Sequence, residues 1–199
     1  MKQINPKAIH RVLLTALALA LITAKSIAAD DQCDLSIAEI EKNIGLEFHD
    51  FDQNPELGWR PYYSHRCYES AGILIERYMA EHPGLASEHP ILPFHAGQMF
   101  ALSGHYKKAI SLMEKAHADS SSDLVDWNAF VNANIAFLQR DLEILKEMRG
   151  RINMQPPMPE SPGIPSWAVG KKMNLDVVDG FLRCFEKSYE DAYSKSCRE

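Results

Sequence analysis

The stretch from Pro93 to Asp119 constrains the fold of this chain more than any other. Apolar residues recur at helical spacing on both sides of Gly104, which predicts two consecutive helices. A glycine adopts positive φ without a Cβ clash, so Gly104 is expected to end the first helix and let the chain reverse within a few residues. The apolar positions are Ala96, Met99, Phe100, Leu102, Ile110, Met113 and Ala116. The stretch is therefore predicted to be a helical hairpin.

The same residues resemble the tetratricopeptide repeat, a helix-turn-helix unit of about 34 residues. The matching positions are Gly97, Phe100, Gly104, Tyr106, Ala109, Ile110, Met113 and Ala116. Small residues in this pattern let two backbones approach, and the larger ones fill the remaining grooves. The resemblance implies an all-α fold of antiparallel helical hairpins stacked as a short TPR-like solenoid. It also implies protein or peptide binding without catalysis or a cofactor.

A second hairpin is predicted from Asp123 to Asn153. Trp127 follows Pro93 by 34 residues, in phase with the first large position of the repeat. The apolar faces comprise Val131, Ile135 and Leu138, then Leu142, Leu145, Met148 and Ile152. No glycine marks the turn between these two helices.

The resemblance places Phe94, Gln98, Asn128 and Asn132 on the concave surface of the solenoid. Asn128 and Asn132 are one helical turn apart and share a face. In peptide-binding repeats of this kind, asparagines at such positions hydrogen-bond the backbone or the terminal carboxylate of a ligand. These four residues are the candidate peptide groove. The alternative, that the asparagines are solvated or packed between helices, stays open.

Helices are also expected on the N-terminal side of the hairpins. A capping box of Ser36 and Glu39 predicts a helix within Asp34–Gly45. Leu46–Pro61 is predicted to be irregular. Tyr62–His82 is predicted to be one long helix, ended by the following Pro-Gly pair. These helices would cover the N-terminal end of the repeat, within a helical domain of residues 30–153.

The C-terminal part begins with a proline-rich connector, residues 154–165, which holds five prolines in twelve residues. Residues 166–199 are expected to pack on the same domain as a C-terminal cap. Asn174 is predicted to cap its main helix. A capping box beginning at Ser188 predicts a further helix that lets the tail fold back.

Residues 1–29 are predicted to be a cleaved secretory signal peptide. A basic start precedes the run Val12–Ala24, whose 13 residues fall short of the about 20 needed to span a bilayer. Cleavage leaves 17 Lys and Arg against 27 Asp and Glu, a net charge near −10. Such a chain disfavours nucleic acid and anionic membrane surfaces, and no stable membrane insertion is expected after cleavage. The expected location is the periplasm or the exterior.

The predicted mature chain keeps four cysteines, Cys33, Cys67, Cys184 and Cys197. An even count in an exported protein implies two disulfides, and four cysteines allow three pairings. The tail that folds back at Ser188 favours Cys184 with Cys197, and hence Cys33 with Cys67.

A different class of function is a small exported metal-binding or hydrolytic protein. It would use the histidines or the acidic loop of residues 47–56, in which Asp50, Asp52 and Asn54 alternate like the first ligands of a calcium loop. Pro55 occupies the position where such a loop requires glycine, and no pair of histidines has zinc-site spacing. The candidate histidines are His65, His82, His89, His95, His105 and His117. We therefore expect no metal site and no catalytic residue.

Overall fold

The computed structural model describes residues 33–119 and 124–199, and in these ranges the chain is all-α with no β-strand. The predicted signal peptide lies outside the described residues. The helices are α1 (Ile37–Ile44), α2 (Phe48–Asp52), α3 (Arg60–Ser64), α4 (Tyr68–Glu81), α5 (Leu85–Glu88), α6 (Ile91–Leu102), α7 (Tyr106–Met113), α8 (Trp127–Gln139), α9 (Leu142–Met154), α10 (Leu175–Arg183), α11 (Tyr189–Tyr193) and α12 (Lys195–Arg198). None of these helices combines the length and apolar character needed to cross a membrane.

The hairpin α6–α7 forms the centre of the molecule, as predicted. Gly104 turns the chain with φ +84°. A Cβ added to Gly97 would lie 2.9 Å from the Ala109 carbonyl oxygen and 2.7 Å from Cγ of Met113, so α6 and α7 are in close contact there. From Leu92 onward, α6 is buried all round except at His95.

The second predicted hairpin is also present, as α8–α9. Arg140 takes the place of the missing turn glycine and adopts a left-handed conformation with φ 61°. Its guanidinium donates hydrogen bonds to the carbonyl oxygens of Phe185 and Lys187, the latter at 2.7 Å. These long-range bonds offset the strain that a side chain feels in this conformation.

The N-terminal helices cover one side of the centre, with α1 on α4 and α4 on α6. The Ser36 capping box begins α1 as predicted. The expected continuous helix over Tyr62–His82 is wrong, because the chain breaks at Arg66, whose φ is 63°. Immediately after the break, Cys67 forms a disulfide with Cys33. The expected irregular stretch Leu46–Pro61 is also partly helical, since it contains α2.

The C-terminal helices form a compact cap. Helix α10 packs on α9, and Phe181 stacks on Phe137 of α8 with ring centroids 4.7 Å apart. Ser188 caps α11 as predicted, and the predicted disulfide Cys184–Cys197 is confirmed. Asn174 precedes α10 with φ 66° but makes no side-chain capping bond, contrary to expectation.

Candidate functional site

The N-terminal half of α8 holds a segment of the chain's own backbone. The side-chain amide of Asn128 donates to the Ala118 carbonyl oxygen at 2.9 Å, and its oxygen accepts from the Ala118 N–H at 2.9 Å. One turn along the helix, Oδ1 of Asn132 lies 2.8 Å from Nε2 of His117. His117 has extended backbone, with φ −65° and ψ 136°. Asn128 thus binds the main chain of Ala118, and Asn132 contacts the side chain of the adjacent His117; we call this arrangement the α8 clamp.

Neighbouring contacts fix the geometry of the α8 clamp. The Trp127 indole donates to the Ala116 carbonyl oxygen at 2.7 Å, so a third side chain of α8 holds the same segment. Asp126 caps α8 by accepting from the Ala129 N–H at 2.9 Å. The same carboxylate forms a 2.8 Å ion pair with Arg151 of α9. The helix start is therefore fixed to both hairpins.

The other two predicted groove residues lie in the interior. Phe94 is 3% exposed and packs against Trp127 and Phe130, with ring centroids 5.0 and 5.2 Å away. Gln98 is 7% exposed, and its amide lies close enough to the hydroxyl groups of Tyr189 and Tyr193 to oppose the rise that burial causes in their pKa. The structure therefore brings Asn128 and Asn132 together on one face of α8. Phe94 and Gln98 are instead buried by neighbouring side chains.

The cover over α6 is supplied by α11. Tyr189 of α11 is fully buried, and its hydroxyl donates to Oδ1 of the buried Asn134 at 2.5 Å. Burial raises the pKa of Tyr189 well above its ordinary value, so the donor proton is retained. Its backbone N–H donates to the Tyr106 hydroxyl at 3.2 Å. The C-terminal segment thus occupies the face of α6 on which Gln98 lies.

A buried carboxylate-histidine pair lies on another side of α6, and sequence patterns gave no sign of it. Oδ1 of Asp52 is 2.8 Å from Nδ1 of His95 and accepts from the Trp59 indole at 3.0 Å. Gln53 donates to Oδ2 at 2.5 Å. Asp52 and His95 are 43 positions apart, and no local spacing links them.

The environment keeps Asp52 ionised. Burial opposes its charge, but the hydrogen bond and charge of His95, the Trp59 indole and the Arg60 guanidinium together hold its pKa below the ordinary value. A carboxylate that orients an imidazole also occurs in hydrolytic sites. Within the described residues, however, the hydrogen bonds of His95 include none to a serine or threonine, and all four cysteines are in disulfides. The pair links the segment containing α2 to α6.

The proposed metal ligands are dispersed. Asp52 of the acidic loop is committed to the buried pair, and Asn54 accepts from the Glu56 N–H in a local turn. His82 contacts the Ile44 carbonyl oxygen at 2.7 Å, and His89 stacks on Phe48. Residues 33–119 and 124–199 contain no group of three His, Cys, Asp or Glu side chains that could hold a metal ion.

Comparison with known proteins identifies no relative: no family model, curated protein or solved structure matches the chain. Functional inference therefore rests on the geometry of the molecule, and the α8 clamp is its most specific polar arrangement.

Proposed function

We propose that this protein is a non-enzymatic interaction module of the bacterial envelope that binds an extended peptide segment of a partner protein along α8. The observation that carries the proposal is the pair of hydrogen bonds between Asn128 and both backbone groups of Ala118. An amide side chain that accepts from an N–H and donates to the C=O of one residue recognises main chain whatever its side chain is. The resemblance to peptide-binding repeats implies the same use of these asparagines.

Two successive hairpins support the TPR-like part of the proposal. Helix α4 packs on α6, and α7 packs on α8, so the first helix of each hairpin packs on an earlier helix of the chain. In the proposed arrangement these helices form a short solenoid, and the disulfide-linked ends cap it. The Cys33–Cys67 and Cys184–Cys197 disulfides also support a location in the periplasm or the secreted fraction, where thiols are oxidised.

In this proposal the chain's own segment at His117 and Ala118 competes with the partner. It is tethered at both ends by α7 and α8, so its effective concentration at the α8 clamp is high, on the order of millimolar. A partner replaces the two backbone hydrogen bonds, each with a net value of about 1 kcal/mol. Weakening the hold on the internal segment should therefore strengthen binding of the partner.

The test selects peptides from a random displayed library on the mature chain and measures their affinity for purified variants. In the His117→Ala background, where the internal segment is already loosened, adding Asn128→Ala should weaken the selected peptides about tenfold or more, because the peptide loses two backbone bonds. His117→Ala should strengthen them severalfold, because the internal segment loses its bond to Asn132.

Gln139→Ala is the matched control, since it removes an exposed amide from the same helix away from the α8 clamp. Circular dichroism and denaturant midpoints establish that each variant is folded. Selected peptides that bind the His117→Ala/Asn128→Ala double variant as tightly as they bind His117→Ala would overturn the assignment to α8. A library that yields no binder for the wild type or for His117→Ala would count against peptide recognition altogether.

A further inference from the structure

A cleft of about 770 Å³ lies between the loop that follows the proline-rich connector and the helices of the C-terminal cap, and it shares no residue with the α8 clamp. One wall carries Trp167, Lys171 and Lys172 of the loop that follows the connector. The other wall carries Asn174 and Asp176 at the start of α10 and Arg198 of α12. A cavity of this volume accommodates a small ligand of two or three rings.

Both walls are held in place by specific contacts. The backbones of Met158 and Gly170 are linked by a 2.9 Å hydrogen bond, and Lys172 donates to the Asn153 carbonyl oxygen at the end of α9 at 2.5 Å. On the opposite wall, Asp179 pairs with Arg149 of α9 at 2.8 Å. The cleft is therefore a feature of the folded chain and does not depend on the α8 clamp.

Trp167 provides an uncovered aromatic surface at this cleft. It is 62% exposed, although the adjacent Ala168 is buried and anchors the loop. The Lys171 ammonium lies 5.9 Å from the ring centroid of Trp167 and forms no salt bridge with a described residue. An exposed indole beside a lysine suits a ligand that has a flat apolar face and an acidic group.

Several polar groups of the other wall lack strong hydrogen bonds within the protein. Asn174 makes no capping bond to α10. Nη1 of Arg198 is 3.4 Å from Oδ2 of Asp176, a long contact, and Nε of Arg198 is buried without a hydrogen-bond partner in the described chain. Amide, carboxylate and guanidinium groups together offer both donors and acceptors to a ligand.

The charge of the cleft limits how acidic the ligand can be. Its charged lining consists of Lys171, Lys172 and Arg198 against Asp176 and Asp179, a formal excess of one positive charge. A ligand with several phosphates would face the two carboxylates, and a flat aromatic acid would leave the acceptor groups unpaired. Hydroxyl groups both donate and accept, so they satisfy this mixed lining.

From these observations we infer that the cleft binds a short saccharide that carries one acidic group. In this arrangement a sugar ring packs its C–H face on the Trp167 indole. The acid group pairs with Lys171, and the hydroxyls bond to Asn174, Asp176 and Arg198. Such a site is an additional ligand-binding function of the protein, independent of partner binding on α8.

The experiment titrates the mature protein with a matched pair of disaccharides, cellobiouronic acid and cellobiose, which differ in one carboxylate. Binding is followed by calorimetry and by the NMR signal of the Trp167 indole. The acidic sugar should bind saturably and about tenfold more tightly than the neutral one. Trp167→Ala should weaken the acidic sugar about tenfold, and Lys171→Gln should remove the preference for it.

Lys107→Gln, which removes an exposed lysine of α7, is the matched control and should leave both affinities unchanged. Trp167 and Lys171 are surface residues of a loop, so the variants can be compared as folded proteins. No saturable binding of cellobiouronic acid up to about 10 mM, or equal binding by Trp167→Ala, would overturn the inference. Tighter binding of benzoate or of adenosine monophosphate than of cellobiouronic acid would also overturn it. Failure of peptide binding on α8 would leave these titrations unaffected.

Discussion

Asp52 is a fully buried carboxylate whose charge is held by neighbours from two parts of the chain. Trp59 and Arg60 follow it closely in sequence, whereas His95 comes from α6. Removing a partner from a buried charge is costly because the remaining polar groups lose their hydrogen bonds without regaining water. The pair therefore links the N-terminal segment to the centre of the fold, and its effect should depend on pH.

We predict that Asp52→Asn lowers the free energy of unfolding by about 1.5–3 kcal/mol near neutral pH. The folded-state pKa of Asp52 lies below its ordinary value of 3.8. The stabilisation is therefore fully present above 3.8 and is lost as pH falls through the folded-state pKa. Urea unfolding of wild type and Asp52→Asn, from neutral pH down through the folded-state pKa of Asp52, measures the difference in their free energies of unfolding. Asp50→Asn, which changes a neighbouring half-exposed carboxylate, is the control, and a difference that does not shrink in acid would contradict the prediction.

At the scale of helices, the approach of α6 to α7 depends on one glycine. The space that a Cβ at Gly97 would need is taken by the Ala109 carbonyl and by Met113. Gly150 of α9 offers the opposite case, since nothing lies within 4 Å of an added Cβ. The two helical glycines should therefore respond with opposite sign to the same substitution.

Gly97→Ala is expected to destabilise the protein by about 1–3 kcal/mol through overpacking. Gly150→Ala is expected to stabilise it by about 0.5–1 kcal/mol, because alanine restricts the unfolded chain and fits the helix. Denaturant unfolding of both variants measures the two effects. A Gly97→Ala protein as stable as wild type would mean that α6 and α7 do not require this close contact.

Helix α11 is attached to the centre largely through Tyr189. Tyr189→Phe keeps the ring but leaves Oδ1 of the buried Asn134 without its donor. We predict a loss of about 1–3 kcal/mol in the free energy of unfolding. Tyr63→Phe, at a partly exposed tyrosine, should change stability by less than about 0.5 kcal/mol. Equal stability of Tyr189→Phe and Tyr63→Phe in thermal or urea unfolding would show that the hydrogen bond from the Tyr189 hydroxyl to Asn134 does not stabilise the fold.

On the scale of the whole molecule, a disulfide closes each end of the described chain. Cys33–Cys67 encloses a sequence separation of 34 residues, and Cys184–Cys197 encloses 13. Closing a longer loop restricts the unfolded chain more, so the first disulfide should contribute more stability than the second.

Replacing Cys33 and Cys67 together by alanine should cost about 4 kcal/mol, and replacing Cys184 and Cys197 about 3 kcal/mol. Urea unfolding of the two double variants, compared with the oxidised wild type, tests both magnitudes and their order. A larger loss for the C-terminal pair would show that contacts in the folded state outweigh loop length.

The sequence by itself determined the elements that depend on neighbours along the chain. Gly104 marked the central turn, Ser36 and Ser188 marked helix starts, and the even cysteine count with the cap at Ser188 led to the observed disulfides. These signals are readable because each depends on backbone geometry within a few residues. The spacing of one helical turn likewise placed Asn128 and Asn132 on one face of α8.

Only the tertiary structure decided what those faces contact. No local sequence pattern indicates the break at Arg66 or the Asp52–His95 pair. The same is true of the packing of α11 over Gln98 and of the hydrogen bonds between Asn128 and Ala118. The partners in the three contacts are separated by between 10 and 91 positions, and the break at Arg66 directly precedes a disulfide that spans 34. Helical periodicity predicts which side of a helix is apolar, but the packed fold selects which distant segment covers it.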